Sequence, residues 1–199
     1  MKYSILSLLL IFCFTVKLYS IDPPLKLKWG MTYEEVKNHL EEKDIDLDDL
    51  EESEGLLEGF TKADLGDIEV RGKDTDWPFL VFDADEKLAA VVYNFEFLIS
   101  LGMDGKAEAW KFLQDLKEIF NGKYGEPASD GTQGKMGDDI GEDLILTVRW
   151  YTEKTNEEID LEITYRKNIA VSKYYINLYY LSDTFLKAQK KAMGETEEL

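Results

Sequence analysis

Two acidic segments of this 199-residue sequence have residue types that could bind a metal ion. The run 44–48 alternates aspartate with apolar residues, as the start of an EF-hand calcium loop does. Such a loop needs glycine at its sixth position and glutamate at its twelfth, but this sequence has Asp49 and Gly55 there. A second acidic cluster, 138–143, lies in a glycine-rich stretch without a defined set of ligands. We therefore expect no metal site, and at most weak calcium binding.

Nucleophilic catalysis finds no support in the sequence. His39 is the only histidine, and we expect it on the surface of a helix. No serine stands in a Gly-x-Ser-x-Gly motif, which argues against a Ser-His-Asp triad. Paired carboxylates remain open as an alternative, because 41 acidic residues are present and nothing singles out one pair. We expect a protein that is not an enzyme and has no cofactor, with a carboxylate-dependent hydrolase as the alternative.

Tyrosine and arginine, two residue types that contribute strongly to protein interfaces, occupy alternate positions of three predicted strands. The opposite positions form apolar inner rows: Leu144, Leu146, Val148 and Trp150; Ile159, Leu161, Ile163 and Tyr165; Tyr174, Ile176, Leu178 and Tyr180. On the middle strand the polar row, which we expect in solvent, is Glu158, Asp160, Glu162, Thr164 and Arg166. The predicted binding surface is Tyr151, Tyr175, Tyr179, Arg149 and Arg166. The alternative is that these tyrosines only form cross-strand pairs that stabilise the sheet.

Local signals predict the elements that position this surface. Thr32 and Glu35 form a capping box at the start of a helix, and Gly122 follows a second amphipathic stretch. The predicted helices are 32–43, 106–121 and 183–193. The predicted strands are 56–60, 67–73, 79–82, 88–97, 144–151, 158–166 and 173–181.

This order of elements predicts an α+β fold in one domain, 21–194. We expect an antiparallel sheet built from two helix-plus-β-meander units, about 25–104 and 105–194, with helices on one face, a C-terminal helix and an open second face. Residues 195–199 are expected to form a disordered tail.

The charge balance limits the possible partners. The chain has 23 Lys and Arg against 41 Asp and Glu, a formal net charge of −18. Such a surface repels nucleic acid and anionic lipid headgroups, so we expect neither as a partner. With 44% apolar residues the chain is too hydrophobic for a disordered acidic tail. The expected partner is a protein, and a basic one fits the charge.

The N-terminal region predicts export. Lys2 precedes an apolar run, 4–16, which has the length of a signal peptide and is too short to span a bilayer. We expect a signal peptide over 1–20, cleaved near Ser20, and a mature protein in the periplasm or outside the cell. Cys13 lacks the small preceding residues of a lipoprotein box, so we expect no lipid anchor, and no membrane span in the mature chain.

Two short motifs add a resemblance. They are Trp29-Gly30-Met31-Thr32 with Val36 and Leu40, and Leu116 with Lys123-Tyr124-Gly125-Glu126-Pro127. They resemble those of small exported bacterial domains of the SmpA/BamE type, many of them uncharacterised, and the duplicated arrangement resembles the β-lactamase-inhibitor-protein fold. The resemblance implies an envelope binding or assembly module, and it transfers no active-site residue. We therefore expect an acidic binding module of the cell envelope, either an assembly factor or an inhibitor of a basic envelope enzyme, that engages its partner through the open sheet face.

The net charge of −18 on one small domain predicts a response to salt. Self-repulsion destabilises the folded chain, and added ions screen it. The melting temperature should therefore rise as sodium chloride is added at neutral pH. A flat salt series would show that the charges are already paired within the fold.

Overall fold

A computed structural model describes residues 20–53, 56–100, 103–133, 135, 145–167 and 172–194. In chain order these ranges contain a 3-10 helix Pro24–Lys26, α1 Tyr33–Glu41, β1 Thr61–Asp64, β2 Glu69–Val70, β3 Lys73–Asp74, β4 Phe79–Phe82, β5 Leu88–Ser100, β6 Met103–Asp104, α2 Gly105–Tyr124, β7 Ser129–Asp130, β8 Ile145–Thr152, β9 Glu157–Lys167, β10 Ser172–Leu181 and α3 Asp183–Ala192. The expectations for the signal segment through residue 19, Cys13, the 138–143 cluster and the 195–199 tail lie outside the described residues.

One antiparallel sheet organises the chain. Its strand order is β1-β4-β5-β10-β9-β8-β7, with β6 added beside β5, while β2 and β3 form a separate hairpin. Each half of the chain supplies one meander, and the two halves meet where β5 pairs with β10, from Ile99↔Ser172 to Ala90↔Leu181. The predicted α+β class, the antiparallel sheet and the C-terminal helix are confirmed.

The face of the sheet that α1 and α2 cover holds the main core. The predicted inner rows of β8, β9 and β10 lie in this core, apart from Leu144, which is outside the described residues, and Tyr165, which is partly buried against it. Phe120 of α2 packs on Trp150 with ring centroids 5.2 Å apart. The Trp150 indole donates to the Asn121 side chain and the Gly125 carbonyl, at 3.1 and 3.2 Å. Strand alternation therefore predicts this face correctly.

The helix ends follow local hydrogen bonding. The predicted capping box is present: the Glu35 amide donates to the Thr32 hydroxyl, and the Thr32 amide donates to the Glu35 carboxylate. The predicted stop at Gly122 is wrong, because α2 continues to Tyr124. Gly125, which follows the last residue of α2, has the left-handed backbone (φ +86°) that commonly ends a helix. No helix in the described ranges is long and apolar enough to cross a membrane.

Two strand predictions are wrong. Residues 56–60 are not a strand, and Leu56 and Phe60 instead pack their side chains beneath α3. Residues 67–73 are not one strand either, because Arg71 and Gly72 both have positive φ and fold this stretch into the β2–β3 hairpin. Two consecutive residues with positive φ make the tight turn whose twist matches antiparallel strands.

The opposite face of the sheet, called the outer face below, is covered at one end. A second apolar cluster there joins Val81, Ala90 and Leu181 of the sheet to Leu186 of α3. Phe185 of α3 packs on Phe60 with ring centroids 5.5 Å apart. The expectation of helices on one face therefore holds for α1 and α2 but not for α3, whose apolar side needs the outer face for burial. The open part of the outer face is correspondingly smaller.

Candidate functional site

The strand register places the predicted binding residues on the outer face but separates them. Tyr179 and Arg149 are the cross-strand neighbours of Asp160, one on each side. Tyr175 pairs instead with Glu96 and Thr164, nearer the opposite end of β10. Tyr151 is in turn the cross-strand neighbour of Glu158, so Tyr179, Arg149 and Tyr151 lie beside acidic residues of β9 and Tyr175 does not.

Arg166 and Tyr175 lie away from these acidic residues, and Tyr151 lies at their edge. The Arg166 guanidinium carbon is 5.7 Å from the centre of the Tyr175 ring, a cation–π contact near the far end of β9. Tyr151 is 39% exposed near the β8–β9 turn, and its hydroxyl donates to Asn156. These contacts lie within the chain, so they agree with the cross-strand alternative as well as with binding.

Glu158, Asp160 and Glu162, called the acidic row below, were expected in solvent, and this expectation is wrong. Glu158 is 9% exposed and Asp160 is 7% exposed, while Glu162 is half-buried. The cause is α3, which packs on this face close to β9 and is tied to the β8–β9 turn by a hydrogen bond from Asn156 to Asp183. A polar strand row is thus removed from water by a helix that buries apolar residues beside it.

One arginine neutralises part of this row. The Arg149 Nε and Nη2 atoms donate to the two Asp160 carboxylate oxygens at 2.7 and 2.9 Å. Its Nε also lies 2.9 Å from the Glu158 Oε1 atom. The hydrogen bond to Asp160 raises the pKa of Arg149. Arg149 is therefore held within the fold by a bidentate ion pair, and the carboxylates of Asp160 and Glu158 share its single charge.

The pKa values of the acidic row and of Tyr179 are raised. Burial, and then the charge of Asp160, raise the pKa of Glu158 to about 7. Burial and Asp160 also raise the pKa of Glu162, against hydrogen bonds from Tyr179 and Asn177. Burial and the nearby Glu162 charge raise the pKa of Tyr179. Burial first, and the mutual repulsion of the carboxylates second, thus disfavour the charged forms of the row.

A groove of about 370 Å³ opens between this row and α3. Its polar side is formed by Asp160, Glu162, Tyr179 and Gln189. Its apolar side is formed by Leu56, Phe79, Val81, Ala90, Val92, Leu181 and Phe185. This acidic groove joins carboxylates to an apolar wall, which suits a ligand that has both a cationic group and a hydrocarbon part.

The 44–48 segment and His39 are the other sequence candidates that lie within the described residues. In the described ranges, no group of three or more His, Cys, Asp or Glu side chains is arranged to hold a metal ion. In the 44–48 segment, Leu47 is buried and bridges to Leu65, and the Asp46 carbonyl accepts the Gly66 amide. The His39 ring lies 3.0 Å from the Leu25 carbonyl oxygen. Backbone pairing therefore occupies the segment that resembles a calcium loop.

Strand alternation alone does not predict that α3 covers the acidic row. One available signal was three acids at every second position of one strand, which had to share a face. Another was the apolar pair Phe185 and Leu186 on α3, which had to be buried somewhere. No family model, curated protein or solved structure matches this chain.

The raised pKa of Glu158 predicts a pH-dependent stability. A carboxyl group with a folded pKa of about 7 takes up a proton on folding between roughly pH 4.3 and 7. It therefore stabilises the fold at the low end of that window and less as pH rises. Glu158→Gln should raise the melting temperature at pH 8 by about 2–4 °C, the shift that about 1 kcal/mol gives a domain of this size.

The same substitution should change much less at pH 4, where Glu158 is protonated in the folded state and mostly protonated in the unfolded state. Arg149 keeps its bidentate pair with Asp160 in this variant. The matched control is Glu153→Gln, an exposed acid in the adjacent turn, which should leave the melting temperature unchanged at both pH values. A lower melting temperature for Glu158→Gln at pH 8 would contradict this account of the acidic row.

Proposed function

We propose that this protein is an exported binding module that holds a basic protein partner through its outer face. A lysine or arginine side chain of the partner enters the acidic groove, with its charged end at Asp160 and Glu162 and its methylene groups on the apolar wall. The contact area extends over the exposed outer-face residues around the groove.

The proposal rests on the environment of the Glu162 carboxylate. Its carboxylate lines the groove and receives a hydrogen bond from Tyr179. Among the described residues, no lysine or arginine lies within ion-pairing distance of it. A half-buried carboxylate without a cation is unfavourable, and a partner's cation removes that cost on binding.

The shape and charge of the site favour a side chain over a bare ion. A metal ion would gain nothing from the apolar wall formed by residues such as Phe79 and Phe185, whereas a lysine or arginine stem packs on it. The net charge of −18 also accelerates encounter with a cationic protein and disfavours acidic ones. An inhibitor of a basic envelope enzyme and an assembly factor both use such a surface.

A carboxylate-dependent hydrolase is the second candidate, and one observation supports it. Asp160 and Glu162 line the same groove in different environments, since Arg149 pairs with Asp160 while burial raises the pKa of Glu162. A charged and a more easily protonated carboxyl group are the pair that general acid–base hydrolysis needs. The binding proposal is preferred because it also uses the apolar wall and the net charge.

The binding proposal is tested by retention of a partner from a cell-envelope fraction. Two variants alter the acidic groove: Glu162→Gln removes its unpaired charge, and Gln189→Lys places a cation of the protein's own within it. Each should weaken retention of a basic protein at least tenfold, about 1.4 kcal/mol, because the partner's cation loses its counter-charge. Both should keep the fold, since neither replaces a fully buried apolar residue.

Tyr175→Ala is the matched control on the same face, away from the acidic groove. It should leave retention unchanged, whereas Tyr179→Ala should weaken it. Equal retention by wild type and Gln189→Lys would refute the groove as the binding site. Hydrolysis of a glycan or peptide substrate that Glu162→Gln abolishes would instead support the enzyme alternative.

A further inference from the structure

Glu157 is a buried glutamate whose carboxylate contacts the start of the described chain, at Ser20 and Ile21. Glu157, the first residue of β9, is only 7% exposed. Its Oε2 atom accepts the backbone amide of Ile21 at 2.7 Å and the hydroxyl groups of Thr155 and Ser20 at 2.7 and 3.2 Å. Within the described part of the chain, no lysine or arginine lies within ion-pairing distance. Buried carboxylates are normally paired with a cation, because burying an unpaired charge is costly.

The side chain and the carbonyl group of Ile21 both hold this residue in place. Its side chain is fully buried in the main core, and its carbonyl accepts the Trp29 indole at 2.8 Å. The backbone nitrogen therefore stays at the Glu157 carboxylate through packing as well as hydrogen bonding. Whatever charge this nitrogen carries is presented to Glu157 in the folded protein.

We propose that the chain is cut between Ser20 and Ile21 and that the new amino group of Ile21 forms a buried ion pair with Glu157. Water adds across the peptide bond, leaving a carboxylate on Ser20 and an amine on Ile21, which takes up a proton at neutral pH. The amine has a usual pKa of about 7.7–8.0, and a carboxylate at hydrogen-bond distance raises it. The processed protein thereby supplies the cation that Glu157 lacks.

The position of the cut follows from this geometry. The backbone nitrogen that lies 2.7 Å from the Glu157 Oε2 atom is that of Ile21, so a cut before Ile21 places the new ammonium group at this carboxylate without further movement of the chain. Ser20 also supplies the small residue that follows the apolar run and lysine of the N-terminal segment. The pattern of the sequence and the position of the carboxylate thus select the same bond.

The burial of Ile21 sets the order of events. A peptide bond whose nitrogen lies at a buried carboxylate is inaccessible to a protease in the folded chain. Cleavage must therefore precede folding, as it does for a chain that is still being exported. Folding of the processed chain then closes the ion pair, so an uncut chain folds with an unpaired carboxylate and is less stable.

The test begins with the full-length chain, expressed in a bacterium and exported by its own pathway. The intact mass of the purified product should correspond to a chain that starts at Ile21. A product that starts at any other residue, retains 1–20 or carries a lipid at Cys13 overturns the proposal.

The second measurement is the rate at which an amine-reactive acetylating reagent modifies the N-terminus at pH 7, followed by mass spectrometry of the N-terminal peptide. An ion pair that raises the amine pKa by one unit lowers the reactive unprotonated fraction about tenfold. The folded product should therefore react at least about tenfold more slowly than the same product in denaturant. Equal rates overturn the proposal, and this comparison needs no variant.

Two substitutions separate the ion pair from simple burial. Glu157→Gln keeps the shape of the side chain and one acceptor oxygen but removes its charge, so it should accelerate labelling several-fold. Glu153→Gln, an exposed acid of the same turn, should leave the rate at the wild-type value. If Glu157→Gln folds and labels as slowly as wild type, burial alone protects the amine and the ion pair is refuted.

Discussion

The pairing of β5 with β10 is the interaction on which the rest of this structure depends. It joins the two meanders into one sheet, so each half of the chain completes the core of the other. Tyr93 of β5 and Tyr180 of β10 meet edge to face beneath α2, with ring centroids 6.4 Å apart. The long central strands also create a second face, and that face needs partial cover because Val81, Ala90 and Leu181 lie on it.

Covering the second face with α3 has an electrostatic consequence. The helix that buries Leu186 also shields the acidic row, which Arg149 and the more distant Lys190 only partly neutralise. Residues held in an unfavourable charge state within a groove are characteristic of functional sites, since the cost is recovered when a ligand arrives. Under the proposed function, stability and binding are opposed at this site, because a partner's cation at Glu162 would lower the cost of keeping the row under α3.

The sequence predicts the inner face well because a strand alternates strictly and a buried row must be apolar. The rows ending at Trp150 and Tyr180 follow from that rule alone, and the capping box at Thr32 follows from local hydrogen bonding. The position of α3 does not follow, because an amphipathic helix specifies that one side is buried but not which surface buries it. The burial of the acidic row depends on that position, so polar residues on a strand were assigned to solvent.

Part of the candidate site can be predicted from the sequence. Tyr179 and Arg149 were identified because alternation places them on one face, yet their common neighbour Asp160 becomes visible only with the register of three strands. Tyr151 lies beside Glu158, whereas Arg166 shares the face without lying near these acids, since register along a sheet depends on turns such as the one at Asn156. Likewise, the contact between Ile21 and Glu157 joins residues far apart in sequence and has no local signal.

The acidic row holds carboxyl groups whose charged forms the fold alone disfavours. Carbon-13 NMR titration of the glutamate side-chain carboxyl groups measures this directly in the protein without a partner. The account predicts that Glu158 titrates near pH 7 and that the pKa of Glu162 lies above the usual value of about 4.3 for glutamate. Titration of both groups at the ordinary value would show that the row is fully solvated or neutralised, and would contradict the account.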